Sequence, residues 1–271
     1  MMELFTDWLN PVEIGLIGLV AGVLGGMLGV GGSVIIIPGM TIVLGYDQHL
    51  YQAAAMVANV AVSIPATMRH YKAGAVMAPV LKKLLPVALI TVLAGVAISN
   101  LPVFAGADGG KWLGRILALF LLYVIYENVR RLRTNQEPLA GTPVLTLGRT
   151  TTVGSAMGLT AGLLGIGGGA LAVPLQQVVM KLPLRNCIAN SAAIICISAT
   201  IGSIYKIATL YQHDVAWTDG LLFGFMLAPT AWIGGRFGAI LTHRLPLRQV
   251  RIAFIALMIV ATWRMAALPW S

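Results

Sequence analysis

Two stretches of this chain repeat each other: GLVAGVLGGMLGVGGSVIIIP from Gly18 to Pro38 and GLTAGLLGIGGGALAVP from Gly158 to Pro174. A shift of 136 residues superimposes seven identical positions without a gap. These are Gly18, Gly22, Gly26, Gly29, Gly31, Gly32 and Pro38, which fall on Gly154, Gly158, Gly162, Gly165, Gly167, Gly168 and Pro174. A shift of 134 residues then aligns Tyr71-Lys72 with Tyr205-Lys206. The repeat therefore extends beyond the glycine motif, and we interpret the chain as a tandem duplication.

The composition is that of a membrane protein. Of the 271 residues, 58% are hydrophobic and 10% are charged, whereas soluble globular proteins carry about 25% charged residues. This excludes a water-soluble enzyme, a disordered chain and a disulfide-stapled secreted domain. The net charge of +9 does not indicate nucleic-acid binding, because the basic residues lie in short runs between apolar segments. Cys187 and Cys196 are nine helical steps apart, on opposite faces of one segment, and cannot pair.

Eight apolar stretches predict helices. Most of them have the ~20 residues that a helix needs to cross ~30 Å of hydrocarbon. The stretches are Ile14–Leu44, Leu50–Met68, Leu84–Ile98, Trp112–Val129, Thr151–Met180, Cys187–Tyr205, Trp217–Leu241 and Ile252–Leu268.

The first and fifth stretches are too long for one span and are interrupted by glycines. The interruptions are Gly29-Val30-Gly31-Gly32-Ser33 and Gly165-Ile166-Gly167-Gly168-Gly169. We expect the arms to be too short to cross alone, since the segments after the glycines reach only ~16 Å at 1.5 Å per residue. Each stretch therefore predicts a re-entrant helical hairpin whose tip lies at membrane depth.

The basic residues predict the orientation of the helices. Four loop regions, Arg69–Lys83, Arg130–Arg149, Lys181–Arg185 and Arg236–Arg251, hold 14 of the 18 Lys and Arg residues. The positive-inside rule places these regions in the cytoplasm and leaves Lys111, Arg115, Lys206 and Arg264 outside. Three crossings follow the first hairpin, and three is an odd number. The second repeat is therefore expected to be inverted relative to the first.

The predicted fold is an all-α polytopic membrane protein with two inverted-topology repeats. Each repeat is a Gly-broken re-entrant helical hairpin followed by three transmembrane helices. We expect one transmembrane domain over residues 1–271, with repeat one at 11–133, a cytoplasmic linker at 134–148 and repeat two at 149–268. The N- and C-termini are predicted outside. Inverted repeats with interrupted helices are typical of secondary transporters, whose substrate sites lie at the midplane between the repeats.

The two glycine interruptions are the first candidate site. Backbone that leaves a helix in hydrocarbon must line a cavity or be covered by protein. At each tip the second arm begins with free N–H groups and the positive end of its dipole, and glycine allows an anion to approach closely. The predicted anion-binding residues are Gly29, Gly31, Gly32 and Ser33 in repeat one, and Gly165, Gly167, Gly168 and Gly169 in repeat two. We interpret Gly18, Gly22, Gly26 and their counterparts as helix-packing positions instead.

Polar residues inside the predicted spans are the second set of candidates. Asn59, Asn190, Ser191 and Gln176 would face a central cavity, or else make interhelical hydrogen bonds worth about 0.6 kcal/mol each. Arg236 would either attract an anion or extend to lipid phosphates. Both interpretations stay open for these residues.

The sequence lacks the residues of an enzyme. It contains no HExxH, CxxC, Walker or GxSxG motif, and it indicates neither a metal nor a cofactor. No Asp or Glu lies clearly at mid-span, so proton coupling has no obvious carboxylate carrier. His70, His213 and His243 are predicted near the interfaces, where histidine can titrate.

The doubled glycine motif, together with the Gly234–Ala239 run GGRFGA, resembles the TauE/SafE family of sulfite and organosulfonate exporters. The length and the duplicated halves are also similar to that family. The resemblance implies a permease of the cytoplasmic membrane for small sulfur-containing anions, such as sulfite or sulfoacetate. An anion channel and a non-transporting partner subunit of a sulfur-metabolising system are the alternatives. The expected partners are the anionic substrate and the lipid bilayer, and a homodimer is left open.

Overall fold

The described part of the chain is helical. In the computed structural model it comprises residues 9–104, 106–134 and 143–246, with positions 248, 249, 252, 255, 256, 259, 262 and 263. The helices are α1 (Leu9–Leu28), α2 (Ser33–Leu44), α3 (Gln48–Lys72), α4 (Ala78–Ser99), α5 (Gly106–Thr134), α6 (Leu147–Leu164), α7 (Gly169–Val179), α8 (Leu184–Ala208) and α9 (Trp217–Arg244). Short 3₁₀ turns occupy Pro102–Phe104 and Leu210–His213. Most of the last predicted span and residues 135–142 of the predicted linker lie outside this part.

The all-helical prediction is confirmed for the described residues. Five of these helices, α1, α3, α4, α5 and α8, are long and apolar enough to cross a membrane. The two helices that follow the glycine interruptions, α2 and α7, are short apolar helices of 12 and 11 residues. Cys187 and Cys196 form no disulfide bond with each other, which agrees with the expectation from their spacing.

Both glycine interruptions break the helix, as predicted. We call residues 29–32 the first break and residues 165–168 the second break. The backbone is left-handed at Gly29 and Gly31, with φ of 64° and 80°, and again at Gly165 and Gly167, with φ of 70° and 73°. Because a side chain makes this conformation unfavourable, glycine is the residue that permits both breaks.

The first arms are longer than the sequence analysis expects. Helix α1 has 20 residues, or about 30 Å, enough to cross a bilayer alone. Its start at Leu9 precedes the predicted boundary at Ile14, because Pro11 is tolerated in the first turn of a helix. Helix α6 likewise begins at Leu147 and has 18 residues. The expectation that both arms of the first hairpin are too short to cross is therefore wrong for α1. The helices that follow the breaks, α2 and α7, are short.

Glycine-lined contacts join the two halves of the chain. Helix α1 packs against α9, and α6 packs against α4. A Cβ added at Gly26 would lie 2.5 Å from the Gly235 carbonyl oxygen, and one added at Gly162 would lie 2.6 Å from the Val96 nitrogen. Small residues allow backbones to approach this closely. The packing interpretation of the early glycines in both repeats is therefore confirmed.

The contacts also give the relative directions of the helices. Along α1 and α9 the contacts proceed from Gly18 with Leu227 to Gly26 with Gly235, so these helices are parallel. Helix α3 is parallel to α9 as well, since Ala53 faces Gly220 and Val62 faces Gly235. These three helices run in one direction.

A second group of three helices runs in the opposite direction. Helices α4 and α6 are parallel, because Leu84 faces Gly154 and Val92 faces Gly162. Helix α8 is antiparallel to α3, since Lys206 bonds to His49 and Gly202 lies beside Met56. Hydrogen bonds from Met77 to Asn190 and from Asn100 to Thr209 show that α4 and α8 are parallel.

The glycine contact between α1 and α9 is expected to be required for stability. We predict that Gly22→Ala lowers the free energy of unfolding by about 1–3 kcal/mol, because the added methyl group would overlap backbone atoms of Ala231 and Gly235. Gly148→Ala is the matched control, because nothing lies within 4 Å of the added Cβ. Thermal unfolding of the purified proteins in one detergent measures the difference. Equal stability of the two variants would contradict the packing role.

Candidate anion site between the two helix breaks

The two breaks contact each other in the interior. A Cβ added at Gly169 would lie 2.6 Å from the Cα of Val30, and one added at Gly31 would lie 3.4 Å from the Ile166 carbonyl oxygen. Residues 29–33 and 164–170 are all buried. The structure therefore brings the two glycine motifs of the sequence together at one place between the halves.

Asn59 of α3 caps the helix that follows the first break. Its Oδ1 accepts hydrogen bonds from the Gly32 nitrogen at 2.7 Å and the Ser33 nitrogen at 3.2 Å. Its Nδ2 donates to the Ser33 hydroxyl oxygen, and that hydroxyl donates to the Ala55 carbonyl. Asn59 is fully buried. The first N–H groups of α2, which the sequence analysis expects to be free for an anion, are therefore occupied by a side-chain oxygen.

The second break has no equivalent cap. Ile195 lies 136 residues after Asn59, and its Cδ1 would be 2.7 Å from a Cβ added at Gly169. Within the described part of the chain, α7 begins after Gly168 and no side chain accepts a hydrogen bond from its first N–H groups. The Asn59 amide also reaches this side, since its Nδ2 would be 2.8 Å from a Cβ on Gly167. One asparagine therefore lies against both breaks.

Each half supplies a hydrogen bond to a backbone carbonyl of the other half, at its break or in the helical turn before it. Gln52 of α3 donates to the Leu163 carbonyl at the end of α6 at 3.1 Å. Ser191 of α8 donates to the Gly29 carbonyl at 2.6 Å. Both carbonyls belong to the last turn of a helix or to the break that follows it, where they have no partner within the helix. Ser191 thus lies at the first break, where it makes an interhelical hydrogen bond.

Asn190 and Gln176 form a separate pair. The Asn190 Oδ1 accepts a hydrogen bond from the Met77 nitrogen at 2.8 Å, and its Nδ2 donates to the Gln176 Oε1 at 3.4 Å. The Gln176 Nε2 is buried without a partner among the described residues. The contacts of this pair link α7 and α8 to the start of α4, whereas Asn59 and Ser191 contact the breaks.

Arg236 lies on the exposed face of α9, away from the interior of the protein. Its side chain is exposed and lines a groove of about 330 Å³ together with Arg69 and Lys72 of α3. The apolar residues of the groove are Pro65, Met68, Trp232 and Ile240. The structure thus groups Arg236 with two other cations and separates it from the two breaks.

Comparison with known proteins places the chain in a family. Residues 14–265 match the sequence profile described as sulfite exporter TauE/SafE. The chain belongs to the TauE/SafE family. It is a multi-pass membrane protein of a transporter family, as the five long apolar helices also indicate. No solved structure matches the chain significantly.

Several relatives of this TauE/SafE protein are named as probable membrane transporter proteins. MamO of Paramagnetospirillum magneticum is 30% identical over 91% of this chain and 43% of its own length. YunE of Bacillus subtilis is 26% identical, with 86% of this chain and 89% of YunE aligned. A Haemophilus influenzae protein is 25% identical, with 92% and 96% aligned. The chain therefore spans less than half of MamO and nearly all of the other two.

Sequence reasoning missed two buried amides in this TauE/SafE protein. Gln48 and Gln52 are fully buried, and both amide atoms of Gln48 and the Oε1 of Gln52 lack a partner among the described residues. At 100° per residue, Gln48, Gln52 and Asn59 lie within about 40° of one another around α3. The signal was present in the sequence as amides four and eleven residues apart in a helix rich in alanine.

The cap at the first break is expected to stabilise the protein. We predict that Asn59→Leu lowers the free energy of unfolding by about 2 kcal/mol or more, because two buried N–H groups lose their acceptor. Ser63→Ala, one turn along the same helix, is the control, since the Ser63 hydroxyl donates to the Val60 carbonyl of its own helix. Equilibrium unfolding in mixed detergent micelles measures both changes. A loss for Ser63→Ala as large as that for Asn59→Leu would contradict the capping role.

Proposed function

We propose that this TauE/SafE protein is a secondary transporter that exports small sulfur-containing anions across the cytoplasmic membrane by alternating access. Sulfite and C2 organosulfonates such as sulfoacetate are the proposed substrates. Membership of a transporter family supports transport, and the description of the family as sulfite exporters supports the substrate class. The binding site is proposed to lie where the two breaks meet.

The cap formed by Asn59 is the observation that carries this proposal. An amide oxygen is held 2.7 and 3.2 Å from two backbone nitrogens at the start of a helix. A sulfonate or sulfite oxygen accepts the same hydrogen bonds, and a charged acceptor makes them stronger. The Asn59 oxygen therefore occupies the position that we assign to a substrate oxygen.

Exchange of acceptors gives Asn59 a role in binding. When an anion takes the N–H groups of Gly32 and Ser33, rotation of the amide turns its Nδ2 toward the anion. The same side chain then caps the break in the empty protein and donates a hydrogen bond in the loaded protein. Helix α7, whose first N–H groups meet no side-chain acceptor among the described residues, contributes the positive end of its dipole from the other side. Ser33, Ser191 and the glycines of both breaks complete the proposed site.

Asn190 and Gln176 are proposed to reach the substrate only at a later stage of transport. They are paired with each other, and the unpartnered Nε2 of Gln176 is a donor available to an anion. Arg236 is proposed to attract anions toward the protein, because its groove carries three cations. Neither role requires contact with the breaks in the present arrangement.

We propose that the halves, 11–133 and 149–268, form an inverted repeat. The helix directions support this arrangement, since α3 and α8 are antiparallel and hold equivalent places after the two breaks. The clustering of basic residues supports a cytoplasmic position for the linker 134–148 and an outer position for both termini. Exchanging the conformations of the two halves would then open the site to one side after the other. A homodimer is compatible with this arrangement.

Substitutions at the breaks test the site. We predict that Gly31→Ala and Gly167→Ala each reduce saturable sulfite and sulfoacetate transport in proteoliposomes by about tenfold or more, since an added Cβ meets Asn59 and displaces the proposed ligands. Gly45→Ala and Gly74→Ala are matched controls. Their φ values of 89° and 67° are also left-handed, but nothing lies within 4 Å of the added Cβ. The controls should transport as the wild type does.

The same proteoliposomes distinguish the alternative functions. Saturation and counterflow identify a transporter, whereas flux without either identifies an anion channel. An absence of flux and of selective anion binding would overturn the proposal in favour of a non-transporting partner subunit. Sulfate and acetate serve as the comparison anions.

Cysteine labelling tests the inverted repeat. Ala73 and Gln212 are exposed and lie in equivalent connections, from α3 to α4 and from α8 to α9. We predict that Ala73→Cys and Gln212→Cys, each made with Cys187 and Cys196 changed to alanine, react from opposite sides of the membrane with an impermeant thiol reagent. Reaction of both from the same side of intact cells would contradict the proposed inversion.

A further inference from the structure

A buried lysine joins three helices near the start of α3. Lys206 of α8 is fully buried. Its Nζ lies 3.0 Å from the His49 Nδ1 in α3, 3.0 Å from the Ser99 hydroxyl oxygen and 2.9 Å from the Asn100 Oδ1 at the end of α4. We call these four residues and His213 the Lys206 cluster. Burying an amine at the end of a transmembrane helix costs free energy unless the amine is paired. Such buried ionisable residues usually mark functional sites.

The hydrogen bonds fix where protons sit in the Lys206 cluster. When Lys206 is an ammonium group it donates three hydrogen bonds and accepts none, and the His49 Nδ1 is then the unprotonated acceptor. The other ring nitrogen of His49 then carries the proton and donates to the Phe104 carbonyl at 2.8 Å. The Asn100 Oδ1 accepts from Lys206 and also from the His213 Nε2 at 3.1 Å. His49 is therefore neutral in this arrangement, and His213 donates from its Nε2.

One position remains for an added proton. The His213 Nδ1 is buried and has no hydrogen-bond partner among the described residues. The His213 ring stacks on the His49 ring, with centroids 3.5 Å apart and an angle of 8° between the planes. A proton on either ring would place a second positive charge beside the ammonium group, and Lys206 has no ion pair within the described part of the chain. The added charge would repel Lys206 and weaken its bond to His49.

A cavity lies beside the histidine pair. It has a volume of about 260 Å³ and is lined by His49 and His213 together with Tyr46, Asp47, Gln48, Gly110, Asp214 and Val215. Gln48 is also the first of the three amides on α3 that lead to the first break. The other ionisable groups near the Lys206 cluster are Tyr46 and Asp47 before α3, Asp214 after the second 3₁₀ turn, Asp219 in α9 and Arg115 in α5.

We propose that the Lys206 cluster is a proton-binding site, and that a proton bound to its histidine pair releases α3 from α4 and α8 and opens the path from this cavity to the helix breaks. The role in transport rests on the proposed function, and the proposed orientation places this cavity on the outer side. The proton enters from the cavity onto the His213 Nδ1 and leaves by the same route when the Lys206 cluster closes again.

The direction of the pH effect follows from the closed arrangement. Burial, followed by the charge of Lys206, lowers the pKa of His213 from 6.5 to about 4. In an open form the ring is hydrated and binds a proton more tightly than in the closed form. Acid therefore shifts the equilibrium toward the open form. The apparent midpoint lies between the pKa of His213 in the closed form, about 4, and its ordinary value of 6.5.

Thiol labelling without substrate tests the proton site. In a protein whose two native cysteines are changed to alanine, Gln52→Cys reports access one helical turn below Gln48. An impermeant reagent is added from the outer side, and the labelling rate is corrected for the thiolate fraction. We expect this rate to rise about tenfold or more as the outer pH falls from 6.5 toward about 4. Adding His213→Gln or His49→Gln should abolish the rise, because glutamine keeps a hydrogen-bonding group but does not titrate. His243→Gln, in α9 at the opposite end, should retain it.

The outcomes separate this proposal from the proposed function. A labelling rate that does not change with outer pH, or a rise that persists in both His213→Gln and His49→Gln, overturns the proton site even where transport is observed. A rise that only these two variants lose supports the proton site even where no sulfur-containing anion is transported. Where transport is observed, its rate should increase with acid on the outer side only, and this dependence should be lost in the same two variants while counterflow persists.

Discussion

The structure depends on satisfying the backbone at two places where a helix is broken inside the membrane domain. A broken helix leaves carbonyl and N–H groups without intrahelical partners, and hydrocarbon offers none. Here the partners come from α3 and α8. Asn59 caps the helix after the first break, while Gln52 and Ser191 bond to carbonyls of the opposite half. Each half therefore needs the other to satisfy its own backbone.

Close packing of glycine-rich helices allows these exchanges. The contact of α1 with α9 and that of α6 with α4 bring backbone atoms within reach of one another, because no side chain separates them. A helix from one half is thereby fixed against a helix from the other, and the breaks that end α1 and α6 are brought together. The glycines of these helix contacts and the residues of the proposed site are thus different sets along the same helices.

The two breaks are alike in backbone and different in side chains. Both are built on left-handed glycines, but Asn59 faces the first, and Ile195 lies at the equivalent position beside the second. Duplication alone would give two equal sites. Asn59 caps the helix after the first break, and no described side chain caps the helix after the second, so an anion between them would meet two chemically different surfaces.

The sequence by itself determined that the chain is a helical membrane protein and that a glycine motif, which occurs twice, breaks its helices, because composition and glycine spacing act locally. It did not determine that Asn59 occupies the N–H groups of Gly32 and Ser33, or that Asn190 pairs with Gln176, since these contacts join residues on different helices. The positions of Gln48 and Gln52 on the same face of α3 as Asn59 could be read from their helical spacing in the sequence. The burial of Lys206 was not, because a lysine near the end of an apolar segment is equally compatible with extension to the membrane surface. Only the packing of α3, α4 and α8 decided that its ammonium group would be surrounded by protein.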